Sequence, residues 1–323
     1  MEKRFILRGF GAGALAGLFA FIFTRIMAEP VIQQAIDYES GRDAAQAALR
    51  KAAGLATEPA GADIFSRGVQ RNVGAGIGLI LFGAAMGGLF AVTYILIRRR
   101  TRTTLRPRVL ALAVAGAAFL GLYLVPFLKY PANPPGIGHE NTIGDRTLLY
   151  VIMLALSVTL LIGAVIVARR LLPKLGSWNA TLVCGAGYAI VMAVVMAILP
   201  SLGHLHANVV EYGPHVTETP LPLRDAAGNI VFPGFPADTL FKFRLYSVIS
   251  QIILWGTIGL AFGWLAERMP APAPRARSSK SAQEVSTPGL TLWEQLDADP
   301  LRRRGRRHRP SLRDHGPDRR SSA

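Results

Sequence analysis

The residues best suited to chemistry lie in SLGHLHANVVEYGPHVTETP, residues 201–220, which carries His204, His206, Glu211, His215 and Glu218. Imidazole and carboxylate are good ligands for Co²⁺, Ni²⁺ and Zn²⁺. The His-x-His spacing puts both rings on one side of an extended backbone, because alternate residues of a strand share a face. Glu211 and His215 are close enough in sequence to fold back on that pair. A second stretch, FLKYPANPPGIGHENTIGDRTLLY at residues 127–150, adds His139 and Glu140 beside Pro131, Pro134 and Pro135. Proline lacks the amide donor and clashes with the preceding turn, so this stretch is expected to be an ordered, non-helical loop. Together His204, His206, Glu211, His215 and His139 form a candidate shallow, exchangeable cation site. The plain alternative is that loop histidines are simply solvated.

The elements that position these loops follow from composition. Hydrophobic residues make up 51% of the 323-residue chain and charged ones 17%, whereas soluble domains carry about a quarter charged residues. The apolar residues gather into six runs, at about 5–28, 73–97, 109–128, 148–168, 180–199 and 245–266. Each has the roughly 20 residues needed to cross a bilayer core. The expected fold class is therefore all-α: a polytopic integral membrane protein with six transmembrane helices. Outer loops are expected at 29–71, 129–147 and 200–244. The membrane domain ends near residue 268, and a disordered, basic, Pro-, Ser- and Arg-rich tail fills 269–323.

Charge orients the helices. The loop after the second run holds Arg98, Arg99, Arg100, Arg102, Arg106 and Arg108 with no acid, and the fourth run closes on Arg169, Arg170 and Lys174. The positive-inside rule places these loops and both termini in the cytoplasm. The histidine- and proline-bearing loops then share the outer face. The basic tail is expected to meet anionic lipid. No nucleic-acid partner is expected, since no aromatic residue interleaves the arginines.

Inside the runs, Gly9, Gly13 and Gly17 recur every fourth position, as do the pairs Gly74/Gly78 and Gly83/Gly87. Such small-residue faces let helices approach closely, and Gly256, Gly259 and Gly263 are expected to do the same in the last run. No Asp, Glu, Lys or His sits mid-span. Ser247 and Gln251 share a helix face and could line a polar seam. Met192, Met196 and the lone Cys184 read as packing. Asp145 and Arg146 read as caps of the fourth span, and Lys242 and Arg244 as interfacial anchors. No GxSxG, HExxH or P-loop is present, so enzymatic activity is not expected.

Four segments carry a resemblance. VPFLKYPANPPGIG with TIGDRTLLY, EPVIQQAI at residues 29–36, FSRGVQRN at 65–72, and GFPADTLFKFRLYSVISQIILWGTIGLAFGWLAER at 234–268 resemble the family called probable cobalt transporter subunit CbtA. The resemblance implies a multi-pass subunit of a divalent-cation transporter in a bacterial plasma membrane, with cobalt as the transported ion and no permanently bound cofactor. It also implies a small, single-span, histidine-bearing partner, CbtB. The histidine-bearing part of 201–220 and the ETPLPLRDAAGNI that follows it look like an insertion relative to that family, so the ligand set rests on residue chemistry alone. A membrane scaffold or assembly factor with no transport activity is the alternative.

Overall fold

The computed structural model describes residues 2–56, 65–101, 105–138, 140–213 and 217–268. His139, His215 and the expected tail lie outside the described residues, as do the side chains of Glu140 and Glu211. The chain divides into two units, Met1–Met269 and Pro270–Ala323. Among its described residues the first is all-α apart from one short hairpin, and five helices there are long and apolar enough to cross a membrane.

Helix α1, Glu2–Phe23, passes through a π-helical turn, Thr24–Ala28, straight into α2, Glu29–Ala52. The expected outer loop 29–71 thus begins as an extension of the first span. Helix α2 stops at Ala52, and Gly54 adopts φ 70° just past its end, a conformation glycine takes without the Cβ penalty. The next helix rises from α3, Arg67–Val69, through a second π turn, Gln70–Gly74, into α4, Ala75–Thr101.

The third pass comprises α5, Pro107–Ala118, a π turn at Phe119–Leu124, and α6, Val125–Lys129. The span expected at 109–128 is helical to Lys129, and Pro126, whose ring ordinarily ends a helix, lies inside it. Two prolines that should break helices, Pro30 and Pro126, each sit two residues after a π turn. A proline ring collides with the carbonyl four residues back. Here those carbonyls belong to Ile26 and Leu122, inside the widened turns, where the i→i+5 pattern reroutes the backbone bonds.

The expected fourth and fifth spans fall in one continuous stretch, α7, Ile143–Ile198, 56 residues with Gly176 at φ 72° and ψ 169° inside it. That glycine folds the stretch back on itself. The Ser157 and Tyr188 hydroxyls lie 2.9 Å apart, although 31 residues of straight helix would separate them by about 46 Å. Met153 and Met192, further along the same two arms, share one core cluster. After α7 come a 3₁₀ turn at Leu202–His204, α8 (His206–Tyr212), the antiparallel strands β1 (Leu223–Arg224) and β2 (Ile230–Phe232), and α9 (Ala237–Glu267).

The bundle directions are set by contacts between neighbours. Gly13 packs on Gly83 and Gly87, and Gly17 on Leu79 and Ile80, so α1 and α4 are antiparallel. Arg8 donates to the Leu265 carbonyl at 2.9 Å and Thr24 lies 3.5 Å from Ser250, so α1 and α9 are antiparallel. Gly259 faces Ala115 and Gly263 faces Arg108, so α5 and α9 are antiparallel too. The core gathers at this four-helix contact, with Tyr94, Phe262 and Ile258 fully enclosed. Tyr94 and Phe90 meet the Phe262 ring at centroid distances of 5.0 and 5.2 Å, edge-to-face geometries that add to burial. One end of the bundle carries the arginines: Arg108 pairs with Glu267 at 2.7 Å, and Arg268 lies over Trp264.

Candidate functional site

At the opposite end the chain builds a polar assembly from four elements. The first is the proline loop, residues 130–138. Its Gly136 adopts φ 77° and rests on α2, where a Cβ would come 3.2 Å from Glu39 Cβ. The second is α2, whose Tyr38 donates to the Pro233 carbonyl at 3.0 Å and whose Arg42 donates to the Leu221 carbonyl at 2.8 Å. Tyr38 also packs its ring on Phe232 and Phe235. The third is the segment from Ser201 to Pro236, and the fourth is the start of α9.

Glu218 is the centre of this assembly. Its side chain is 1% exposed, and it accepts hydrogen bonds from Asn133 Nδ2 at 3.2 Å, Asn208 Nδ2 at 3.0 Å and Thr142 Oγ1 at 3.4 Å. The Arg146 guanidinium stands 3.6 Å away. Asn133 in turn accepts from Arg244 at 2.8 Å, and Arg244 also reaches the Ala132 carbonyl at 3.4 Å. A buried charge persists only when paired and hydrogen-bonded, and Glu218 is both. A carboxylate surrounded by N–H and O–H donors, with two guanidiniums in its network, is an anchor and not a vacant ligand. Arg146, expected as a cap, instead reaches across to Glu218. Arg244 does anchor, but through the proline loop.

A second junction joins the first π turn and the start of α2 to α3 and the second π turn. Arg67 binds Glu29 at 2.6 Å, and Arg25 donates to Asn72 Oδ1 at 2.8 Å. Glu29 is buried. The first junction joins the proline stretch to the 234–268 segment, and the second joins 29–36 to 65–72, so each of the four segments that carry the family resemblance takes part in one.

The expected metal ligands are placed only in part. His204 closes the 3₁₀ turn and His206 opens α8, both exposed. The His-x-His stretch is therefore not a strand. Only Leu205, at φ −65° and ψ 140°, is extended. The reason is local: Asn208, enclosed at 0% exposure, donates to the Leu202 carbonyl at 2.8 Å as well as to Glu218, which curls the backbone. Glu211 belongs to α8, with its side chain outside the described residues, as are His215 and His139. Among the described residues no group of three or more His, Cys, Asp and Glu could hold a metal ion.

Asn133 and Asn208 carried no signal at the level of sequence. Each is one amide among many polar loop residues, and its role depends on a partner 85 or 10 residues away. Ser247 donates to the Phe243 carbonyl of its own helix at 2.8 Å. Cys184 and Met192 are buried as packing residues. A nearby tight turn is tied by Asp225, which accepts from the Asn229 amide and side chain at 2.8 and 3.1 Å.

A family model described as Probable cobalt transporter subunit (CbtA) matches residues 2–267. No curated protein and no solved structure matches the chain.

Proposed function

The chain belongs to the probable cobalt transporter subunit (CbtA) family, and from that premise we propose that it is the membrane-embedded subunit of a divalent-cation transporter whose cargo is cobalt. The observation that carries this reading is the extent of the match, which takes in the whole apolar bundle and both polar junctions. In this reading the chain crosses a bacterial plasma membrane six times, with both termini cytoplasmic. Two features support six crossings: α7 folds back at Gly176, and α5 and α9, on either side of it in sequence, are antiparallel. Antiparallel helices need an even number of passes between them.

His204, His206, Glu211, His215 and His139 form the outer cation-capture site of this reading. The transmembrane interior holds no Asp, Glu, Lys or His among the described mid-span residues. The cation path therefore calls for ligands from elsewhere, which a small single-span partner would supply. The experiment is cobalt accumulation in cells lacking the gene, beside cells carrying the H204A/H206A/H215A chain. The knockout loses accumulation, and the triple variant loses it in part. Unchanged accumulation in the knockout removes the transport reading. Loss in the knockout alone removes the histidine site and leaves transport standing.

A second reading, a membrane scaffold, is favoured by the α7 region. Only 11% of its apolar window is buried, against 33–39% in the other four. Cobalt uptake into vesicles with and without a partner separates the two.

A further inference from the structure

A cavity of about 680 Å³ opens between the end of the third pass and the first turns of α7. Its walls are the rings of Tyr123, Phe127, Tyr130 and Tyr150, and its charged lining consists of Arg146 and Glu218. These two charges are not equivalent. Glu218 is enclosed and takes three hydrogen bonds from other partners. Arg146 is 26% exposed and stands 3.6 Å from Glu218, beyond a hydrogen bond. A guanidinium has five N–H donors, so Arg146 retains capacity for a ligand.

We propose that this cavity binds an amphiphile with an anionic oxygen headgroup, an anionic phospholipid of the adjacent leaflet, with the headgroup phosphate on Arg146 and the tail along the aromatic wall.

Three observations converge on that class of ligand. A cation would face the Arg146 guanidinium and a carboxylate already saturated with donors. A neutral apolar ligand would strand the guanidinium in a poorly hydrated pocket, which is costly. A soluble anion alone would leave the rings exposed. The rings also mark depth: Tyr123 and Phe127 lie on the last turns of the third pass and Tyr150 on an early turn of α7. Aromatic residues at the ends of spans sit at headgroup level. Arginine is well suited to the phosphate, since its planar fork meets two oxygens at once.

The test uses the full chain in nanodiscs of equal parts phosphatidylglycerol and phosphatidylcholine, with retained lipid counted by native mass spectrometry after release into detergent. The wild type retains phosphatidylglycerol over phosphatidylcholine several-fold, because both lipids offer Arg146 a phosphate but only phosphatidylcholine sets a quaternary ammonium against the guanidinium. Arg146→Gln abolishes that preference. Thr147→Trp, which fills the cavity from α7 and leaves Arg146 and Glu218 in place, loses both lipids, and it carries the test alone if the arginine variant does not fold. Added inorganic phosphate distinguishes the source of the anion. Retention unaffected by it assigns the site to lipid, and competitive displacement assigns it to a soluble oxyanion, which overturns the lipid proposal. Equal retention of the two lipids by the wild type, or wild-type selectivity in Thr147→Trp, also overturns it.

Discussion

Gly13 of α1 and Gly87 of α4 face each other so closely that a Cβ built on Gly13 would lie 2.8 Å from Gly87 Cα. The same crossing repeats at Gly9 and Gly17, where added Cβ atoms would meet the carbonyls of Gly87 and Leu79. In lipid no hydrophobic drive holds helices together, so close backbone approach supplies the attraction. The obstacle to a larger residue here is backbone, which cannot move aside as a side-chain tip would.

Gly13→Leu is therefore expected to cost about 3 kcal/mol or more, at the upper end of overpacking effects. Gly11→Leu, two residues away with open space around it, is the control and should leave stability nearly unchanged. Thermal unfolding of both variants in detergent measures the difference. Equal melting temperatures would sink the close-packing account.

Glu218→Gln removes the charge that compensates Arg146 and keeps the side chain's size. Breaking a buried pair by deleting one partner costs about 3–5 kcal/mol. Asp225→Asn changes an exposed carboxylate in the same segment and should cost much less. If denaturation midpoints place Asp225→Asn as the more damaging change, the anchoring role of Glu218 is wrong.

Reporter fusions read the topology directly. A tag after Arg100 and a tag after Lys174 should report the same compartment, and a tag after Pro135 the other. Should the Lys174 and Pro135 tags agree, the first arm of α7 does not cross, the second arm folded against it does not either, and six crossings become four.

The Asp225 turn has a defined pH response. The Asn229 side chain, and after it the Asn229 backbone amide, hold the Asp225 carboxyl below its ordinary value. A group whose pKa is lowered on folding stabilises above its unfolded pKa and loses that contribution as pH falls through the folded value. Amide exchange at Gly228 and Asn229, taken relative to the intrinsic rate at each pH, should quicken below the ordinary aspartate range. In Asp225→Asn that acceleration should vanish. A variant that tracks the wild type across the range would remove the carboxylate from the account.

Pro126 shows where local reading gives out. Its ring predicts the end of a helix, and nothing nearby in the chain signals otherwise. The helix continues because the turn at Phe119–Leu124 widens to a π pattern and clears the Leu122 carbonyl. Pro30 repeats the device after Thr24–Ala28. Gly54, by contrast, stops α2 as its type foretold, because a positive φ is a property of one residue and needs no distant partner.

By itself the sequence determined the solvent and the scale: runs of about 20 apolar residues need a bilayer, and the Gly9, Gly13 and Gly17 face asks for a helix laid against it, although the same spacing at Gly74 and Gly78 meets no other helix. Those are local properties, written in the spacing of side chains along a helix of known pitch. Only the tertiary structure decided which glycine face met which, and that Glu218, readable as a metal ligand, is instead enclosed by Asn133, Asn208, Thr142 and Arg146. The physical reason is that a carboxylate's role depends on which donors surround it. Those donors come from segments as far as 85 residues away, and only folding brings them together.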